Sequence, residues 1–345
     1  MNILITGASG FIGSFLCEES LKRRYNVWAG IRKRSSRKWL QNEWLKFVIL
    51  DMANKDILYQ QLLNYKKKNG RWDVIIHAGG ATKCLHKEDF IKNNFECTKN
   101  LVETLEELDM MPNQFLYLSS LSVLGPELNE SNPQPNTAYG ESKLMTEEWL
   151  STKIENTDCV QEEDNGMSTD KGNTKYTIFR PTGVYGPREK DYFLMVKSIN
   201  NHYDFAVGFD PQQITFVYVK DLVDAILSSI DNEKSYGKTY AVSDGDVHSS
   251  RDFSDLIQKE LDKRFVLHIT APLFLLKMVC NVGDWWSKVT GKISTLNKDK
   301  YNILSQRDWN CNITPIKDDL GYEPKYNLER GVKETINWYK ENKWI

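Results

Sequence analysis

A chain of 345 residues is long enough for one large domain or two coupled ones. Its 45 Lys and Arg against 47 Asp and Glu leave a net charge of −2, which gives no reason to expect nucleic acid or an anionic membrane as a partner. The six cysteines, at 17, 84, 97, 159, 280 and 311, form no C-x-x-C pair. That pattern points to reduced thiols in a cytoplasmic protein, without a disulfide framework or a metal site. The first strand starts at once, so no signal peptide is expected. No apolar run reaches about 18 residues, so no membrane span is expected either.

The chain opens on an apolar run, Ile3 to Ile5, as a buried parallel strand would. Gly7, Gly10 and Gly13 follow, and Phe11, Ile12, Phe15, Leu16 and Leu21 then recur at helical spacing. In a strand–glycine turn–helix unit the first glycine allows the tight turn. The second lets a pyrophosphate approach the backbone, and the third lets helix and strand pack closely. The helix N-terminus, from Ser9 through Gly13, offers N–H groups and a partial positive charge to phosphates.

Asn26 to Ile31 reads as the second strand. Its end selects between cofactors: an acid there holds the ribose 2′-hydroxyl of NAD, an arginine the 2′-phosphate of NADP. Arg32, Lys33 and Arg34 stand there with no carboxylate nearby, which favours NADP(H), with NAD(H) as the alternative. Phe47 to Leu50 is a third strand, followed by Asp51 and Met52. A fourth ends in His77-Ala78-Gly79-Gly80, small residues that let backbone lie against a cofactor, with His77 packed rather than catalytic. Phe90 to Leu108 is helical, with Asn94 and Thr98 one turn apart.

Phe115 to Leu118 is the next strand, with Ser119 and Ser120 at its carboxyl end, where ligands of open α/β sheets bind. A helix beginning near Ala138 carries Tyr139 and Lys143, four apart and so on one face. Alternating strand and helix patterns indicate an α/β fold with a doubly wound parallel sheet of the Rossmann type. Ser151 to Thr174 is polar and acidic and reads as a mobile surface insertion. Tyr176 to Phe179 restores a strand, and short strand and helix patterns follow to Val242. Ile269 to Trp286 is apolar but interrupted by Lys277, Asn281 and Asp284. It reads as a buried helix pair, or alternatively as an apolar wall over a substrate cleft. The end of the chain reads as an amphipathic helix.

The glycine triplet, the strand-end serine, Tyr139-x-x-x-Lys143 and Arg180-Pro-x-x-Val-Tyr-Gly-Pro187 together resemble the extended short-chain dehydrogenases/reductases, the NAD-dependent epimerase/dehydratase family. The resemblance implies a Rossmann domain over 1–179 and 214–246. A smaller, mostly helical substrate domain would occupy 180–213 and 247–345, with 151–174 as the insertion. It implies a homodimer, paired through the helices near 90–108 and 139–150, with a small-molecule substrate. Ser120, Tyr139 and Lys143 take the place of the catalytic serine, tyrosine and lysine. Gly7, Gly10 and Gly13 take that of the pyrophosphate loop, Asp51 and Met52 of the adenine contacts, and Ala78, Gly79 and Gly80 of the ribose wall. Asn94 and Ser119, the neighbour of Ser120, are counted with the cofactor-binding residues, and Pro181, Gly183 and Val184 resemble the nicotinamide amide pocket.

The chemistry is that of hydride transfer coupled to proton transfer. A free phenol has a pKa of about 10; a nearby ammonium stabilises the phenolate and brings it towards the range a general base needs. Ser120 would donate to the substrate oxygen. Departures from family patterns narrow the reaction. Sugar 4,6-dehydratases of the family carry Asp-Glu where this chain has Leu121-Ser122. Nucleotide-sugar epimerases commonly carry Asn at the place of Gly183, and an arginine before the strand ending at Val219, where Gln213-Ile214-Thr215 stands. The branch with dihydroflavonol reductases and 3β-hydroxysteroid dehydrogenases is the nearer resemblance. It implies a carbonyl or secondary alcohol on an apolar body, with a nucleotide-sugar 4-epimerase as the alternative.

Overall fold

The computed structural model describes residues 1–158, 174–210, 212–291 and 297–345, the side chains of 154–158 and Lys288 excepted. In chain order the strands are β1 (Asn2–Thr6), β2 (Asn26–Ile31), β3 (Lys46–Ile49), β4 (Val74–His77), β5 (Gln114–Leu118), β6 (Lys175–Pro181) and β7 (Gly183–Tyr185). β8 (Tyr203–Val207), β9 (Gln213–Ile214), β10 (Phe216–Tyr218), β11 (Lys238–Val242), β12 (Leu267–Ala271) and β13 (Asp308–Trp309) follow. The helices are α1 (Phe11–Lys22), α2 (Lys55–Asn69), α3 (Lys87–Phe90), α4 (Cys97–Glu107), α5 (Ala138–Asp158) and α6 (Asp191–Asn200). They continue as α7 (Val219–Ser228), α8 (Ser250–Glu260), α9 (Leu273–Thr290), α10 (Lys298–Ser305), α11 (Thr314–Leu320) and α12 (Leu328–Glu341).

The chain divides into two compact units. The first comprises Met1–Ser120, Glu141–Arg180 and Val223–Tyr240. It is built on a seven-stranded sheet in the order β11-β6-β5-β4-β1-β2-β3, parallel from β3 through β6. This is the Rossmann fold the βα alternation implies. Strand order reverses between β1 and β4, and that crevice is where ligands of such sheets bind. The register pairs Thr6 with His77, so the residues that follow, Gly7 and Ala78, emerge side by side. One face of the sheet is filled by Leu4, Ile75, Phe115 and Ile178 together with Leu58 and Leu62 of α2 and Leu101 and Leu105 of α4. Trp72 closes that core with its ring stacked on Tyr65 at 3.9 Å.

α5 is longer than the polarity of its second half suggests. It runs on to Asp158, eight residues into the stretch read as an insertion. Residues 159–173 of that stretch lie outside the described residues. Thr174, its last member, is fixed: its hydroxyl donates to the Pro112 carbonyl at 2.7 Å. The helical region near 90–108 also has more structure than its spacing implies. A π-helical segment, Ile91–Glu96, joins α3 to α4, and π turns often mark functional positions.

The second unit comprises Leu121–Gly140, Pro181–Leu222 and Ala241–Ile345. Its core forms where α12 lays Leu328, Val332, Ile336 and Tyr339 beside Tyr185, Phe216, Tyr218 and Phe253. Three two-stranded parallel ribbons complete it: β7 with β10, β8 with β12, and β9 with β13. The apolar stretch around 269–286 is not a buried helix pair. It is β12 followed by a single helix, α9, whose Leu276 and Cys280 are buried while Phe274, Met278, Val282 and Trp285 are exposed. Apolar content alone cannot distinguish the two arrangements; only the contacts made by each face can.

Candidate active site

The first unit assembles most of the predicted cofactor residues around the β1/β4 crevice. Gly7 has φ +66°, and a Cβ built there would lie 2.5 Å from the Ala78 carbonyl oxygen. A Cβ on Gly13 would lie 2.2 Å from the Gly7 carbonyl oxygen. Both positions therefore need glycine, the first for the turn and the second for helix–strand contact. Gly10 is different: its Cβ would meet only the Gly7 oxygen, at 3.1 Å, and it is exposed. It caps α1 without any side-chain cap, leaving backbone N–H groups of Phe11 and Ile12 at an open helix N-terminus. That donor set and that open approach fit a dinucleotide diphosphate.

The turn after β4 connects this loop to the rest of the site. A Cβ on Gly79 would stand 3.4 Å from the Met52 methyl, and one on Gly80 would stand 3.0 Å from Asn94 Oδ1 and 3.4 Å from Lys143 Nζ. Asn94, within the π-helical segment, holds the turn from both sides. Its Oδ1 accepts the Ala81 N–H at 2.6 Å; its Nδ2 donates to the Ala81 carbonyl at 3.1 Å and to Ser142 Oγ at 2.9 Å. Arg32 is exposed just past β2. Both Arg32 and Asp51 act on the Cys97 thiol, which burial pushes up to about 11, so the two lie at one end of the sheet.

Beneath the turn runs a hydrogen-bonded chain of fixed direction. The Gly79 N–H donates to Thr6 Oγ1 at 3.2 Å, and Thr6 Oγ1 lies 2.7 Å from His77 Nδ1. His77 Nε2 lies 2.9 Å from Thr98 Oγ1, which donates to the Asn94 carbonyl at 2.6 Å. With its own proton committed to Asn94, the Thr98 hydroxyl accepts from His77. The imidazole is then neutral with its proton on Nε2, and Nδ1 accepts from Thr6. Burial and the Lys143 charge hold its pKa down at about 3. His77 is thus packed, as its sequence context implies, and its neighbours give it a bracing task that the sequence did not disclose.

Lys143 projects from α5 to the end of β5. Its Nζ donates to the Leu118 carbonyl at 2.7 Å and stands 4.7 Å from the centre of the Tyr117 ring. Burial brings the ammonium down to about 8, with Glu147 opposing that shift. One turn further along α5, Glu147 receives Arg180 Nε at 3.1 Å and Nη2 at 2.5 Å, and it accepts the Ser119 hydroxyl. Ser119 is therefore committed to this buried pair, whereas its neighbour Ser120 is partly exposed. Glu147 was not singled out from the sequence, and Arg180 was read there only as the start of a family motif; the available signal for the pair was a carboxylate one turn beyond Lys143. Tyr139 lies one turn before Lys143 on α5. Pro181, Gly183 and Val184 belong to the second unit. A Cβ on Gly183 would lie 2.4 Å from the Tyr192 hydroxyl.

The profile of the NAD-dependent epimerase/dehydratase family matches residues 3–243. The chain belongs to this family. Within the epimerase/dehydratase family it is 25% identical to the UDP-glucose 4-epimerase of Vibrio cholerae, over 97% of this chain and 94% of that one. It is 22% identical to the decarboxylating sterol-4-alpha-carboxylate 3-dehydrogenase of Dictyostelium discoideum, over 96% and 99%. Among solved structures, the UDP-glucose 4-epimerase of Thermotoga maritima with UDP-glucose matches with a TM-score of 0.75 at 19% identity, covering 99% of both chains. The UDP-glucuronic acid 4-epimerase of Bacillus cereus, in complex with UDP-glucuronic acid and NAD, matches with a TM-score of 0.73 at 20% identity, over 99% of this chain and 100% of that one. These structural likenesses show the fold.

Two stability measurements check the bracing network. Folded His77 stays neutral down to about pH 3, whereas an unfolded histidine takes its proton near pH 6.5 (about). The unfolded state then binds more protons, so this contribution is complete above about pH 6.5 and is lost as the pH falls towards 3. His77→Gln should show a shallower acid loss of melting temperature across that window; parallel wild-type and variant curves would exclude the group. Glu147→Leu leaves the half-buried Arg180 without its counter-charge and should cost up to about 3–5 kcal/mol in denaturant unfolding. Glu147→Leu with Arg180→Leu should recover most of it.

Proposed function

We propose that this chain is an NAD(P)-dependent dehydrogenase or reductase. It would move a hydride between nicotinamide and a carbonyl or secondary alcohol on an apolar substrate, with Ser120, Tyr139 and Lys143 as its acid–base set. The observation that carries the substrate class is at Gly183. Nucleotide-sugar epimerases commonly carry asparagine at that place, but here the Tyr192 hydroxyl stands 2.4 Å from where a Cβ would be. Three of the second unit's five arginines add support, because a diphosphate needs cationic partners once buried. Arg307 donates to the carbonyls of Ser305, Val207, Asp210 and Leu304. Arg251 pairs with Asp204 at 3.0 Å, and Arg330 donates to the Lys325 carbonyl at 2.8 Å.

The bound nicotinamide would supply or accept the hydride. The α1 N-terminus and glycine turn would hold the diphosphate, Asp51 and Met52 the adenine, and Ala78 to Gly80 with Asn94 the ribose. Lys143 would hold the nicotinamide ribose, and Pro181 to Val184 the carboxamide. In reduction, Tyr139 gives its proton to the substrate oxygen while Ser120 donates a hydrogen bond to the same atom. The Lys143 ammonium stabilises the resulting phenolate. Arg32 would pair with a 2′-phosphate, which makes NADP(H) the preferred cofactor; relatives solved with NAD, such as the Bacillus cereus epimerase, keep NAD(H) as the alternative.

A nucleotide-sugar 4-epimerase is the second reading, favoured by the 25% identity to the Vibrio cholerae UDP-glucose 4-epimerase. Titrating a UDP-hexose into the NADP-bound protein separates the two. Binding no tighter than free nucleotide is expected; micromolar binding with interconversion of hexose epimers would replace the reductase by an epimerase. Tyr139→Phe should keep cofactor affinity and lose roughly 10²–10⁴-fold in turnover, the worth of a general acid–base. Unchanged turnover would remove Tyr139 from the mechanism. Charge-assisted bonds to a 2′-phosphate are worth about 1.5–3 kcal/mol, so calorimetry should find NADP about 10- to 150-fold tighter than NAD. Arg32→Ala should erase most of that gap, and equal wild-type affinities would overturn the NADP assignment.

A further inference from the structure

α9 carries an apolar surface that the described residues of the chain do not cover. Leu276, Cys280 and Ser287 form its buried seam. Eight apolar side chains elsewhere on the helix are between 43% and 68% exposed. At 3.6 residues per turn they fall in one continuous arc of about 140°, directed away from the seam. Together they expose on the order of 800 Å² of apolar surface, more than the roughly 300–600 Å² of the largest patch on a typical soluble monomer.

The width of the arc distinguishes its occupant. Leu275, Met278, Val282, Trp285 and Val289 alternate at spacings of three and four, as the seam of a coiled coil with a second copy would. The flanks of such a seam carry the charges that set pairing. Here three of the five flanking positions carry Phe274, Val279 and Trp286, all exposed, and of the other two, Asn281 and Lys288, only Lys288 bears a charge. A broad arc with large aromatics suits a fluid apolar medium better than one partner helix. The strand before α9 continues the pattern. β12 pairs with β8 so that Leu267 faces Tyr203 and Ile269 faces Phe205, all four exposed. The other face of that ribbon is polar, with Asp204 bound to His268 and Arg251.

Charge names the medium. Residues 262–300 hold seven Lys and Arg against three Asp, whereas the whole chain carries a net −2. Two of those carboxylates accept from backbone N–H groups: Asp284 from Lys298 at 3.2 Å, and Asp299 from Ala138 at 3.2 Å. Arg264, Lys277 and Lys298 are exposed. We propose that α9 is an in-plane anchor that seats the protein on the surface of an anionic bilayer, its apolar arc entering the boundary between headgroups and acyl chains. The proposal stands apart from the reading of the reaction and does not require any particular substrate.

The test is co-sedimentation of the full chain with vesicles of phosphatidylcholine, with or without phosphatidylserine. The wild type should pellet with the mixed vesicles and bind them about tenfold tighter than neutral ones, as basic residues at a membrane surface require. Val282→Asp with Trp285→Asp should stay in the supernatant while keeping its melting temperature and NADP binding. Should that variant fail to fold, brominated phosphatidylcholine in the mixed vesicles should still quench wild-type tryptophan fluorescence. Absence of pelleting and of quenching would overturn the proposal. So would sedimentation equilibrium showing a vesicle-indifferent dimer that the variant splits, which would make the arc a contact between copies.

Discussion

The parallel pairing of β1 with β4, made at van der Waals limits where the two strands end, determines the rest of the site. The register that sets Thr6 beside His77 delivers Gly7 against the Ala78 carbonyl with no room for a Cβ. From that contact the start of α1 is fixed, because Gly13 must in turn clear the Gly7 oxygen. The turn through Gly79 and Gly80 is fixed as well, and with it the approach to Asn94 and Lys143. A methyl group at either glycine would separate elements that otherwise share one crevice.

Lys143 shows how burial and pairing compete. Alone, its burial would favour the neutral amine. Glu147, one turn along the same helix, restores part of the positive charge. Glu147 is itself buried and bonded to Arg180, so the carboxylate serves two cations. Such an arrangement contributes little net stability over a well-packed apolar one. What it defines is position: it ties α5, the end of β5 and the end of β6 to one another through side chains whose geometry is directional.

Legibility in the sequence followed the range of the interaction. The glycine triplet, the limits of β2 and the one-turn spacing of Tyr139 and Lys143 are local facts and could be read directly. The pairing of Glu147 with Arg180 spans 33 positions and leaves no periodic trace. The second half of α5 was hidden because Ser151-Thr-Lys-Ile-Glu-Asn-Thr-Asp158 lacks an apolar stripe, yet such residues extend an existing helix at small cost per residue. For α9 the apolar residues were plain and their environment was not, since spacing shows that a face exists but not what lies against it. Net charge is silent on such a local feature for a related reason: a near-zero sum averages away the basic segment around α9.

The chain from Gly79 through Thr6, His77 and Thr98 to Asn94 has a backbone donor at one end and a backbone acceptor at the other. Its hydrogen bonds therefore all point the same way and cannot reverse, because an amide N–H cannot accept and a carbonyl cannot donate. A proton wire must be able to turn over after each passage. This row of groups lacks that freedom, although an imidazole flanked by two hydroxyls beside a candidate active site has the outward look of a relay. It acts as a strut that transmits position from strand to turn to helix and carries no charge along its length.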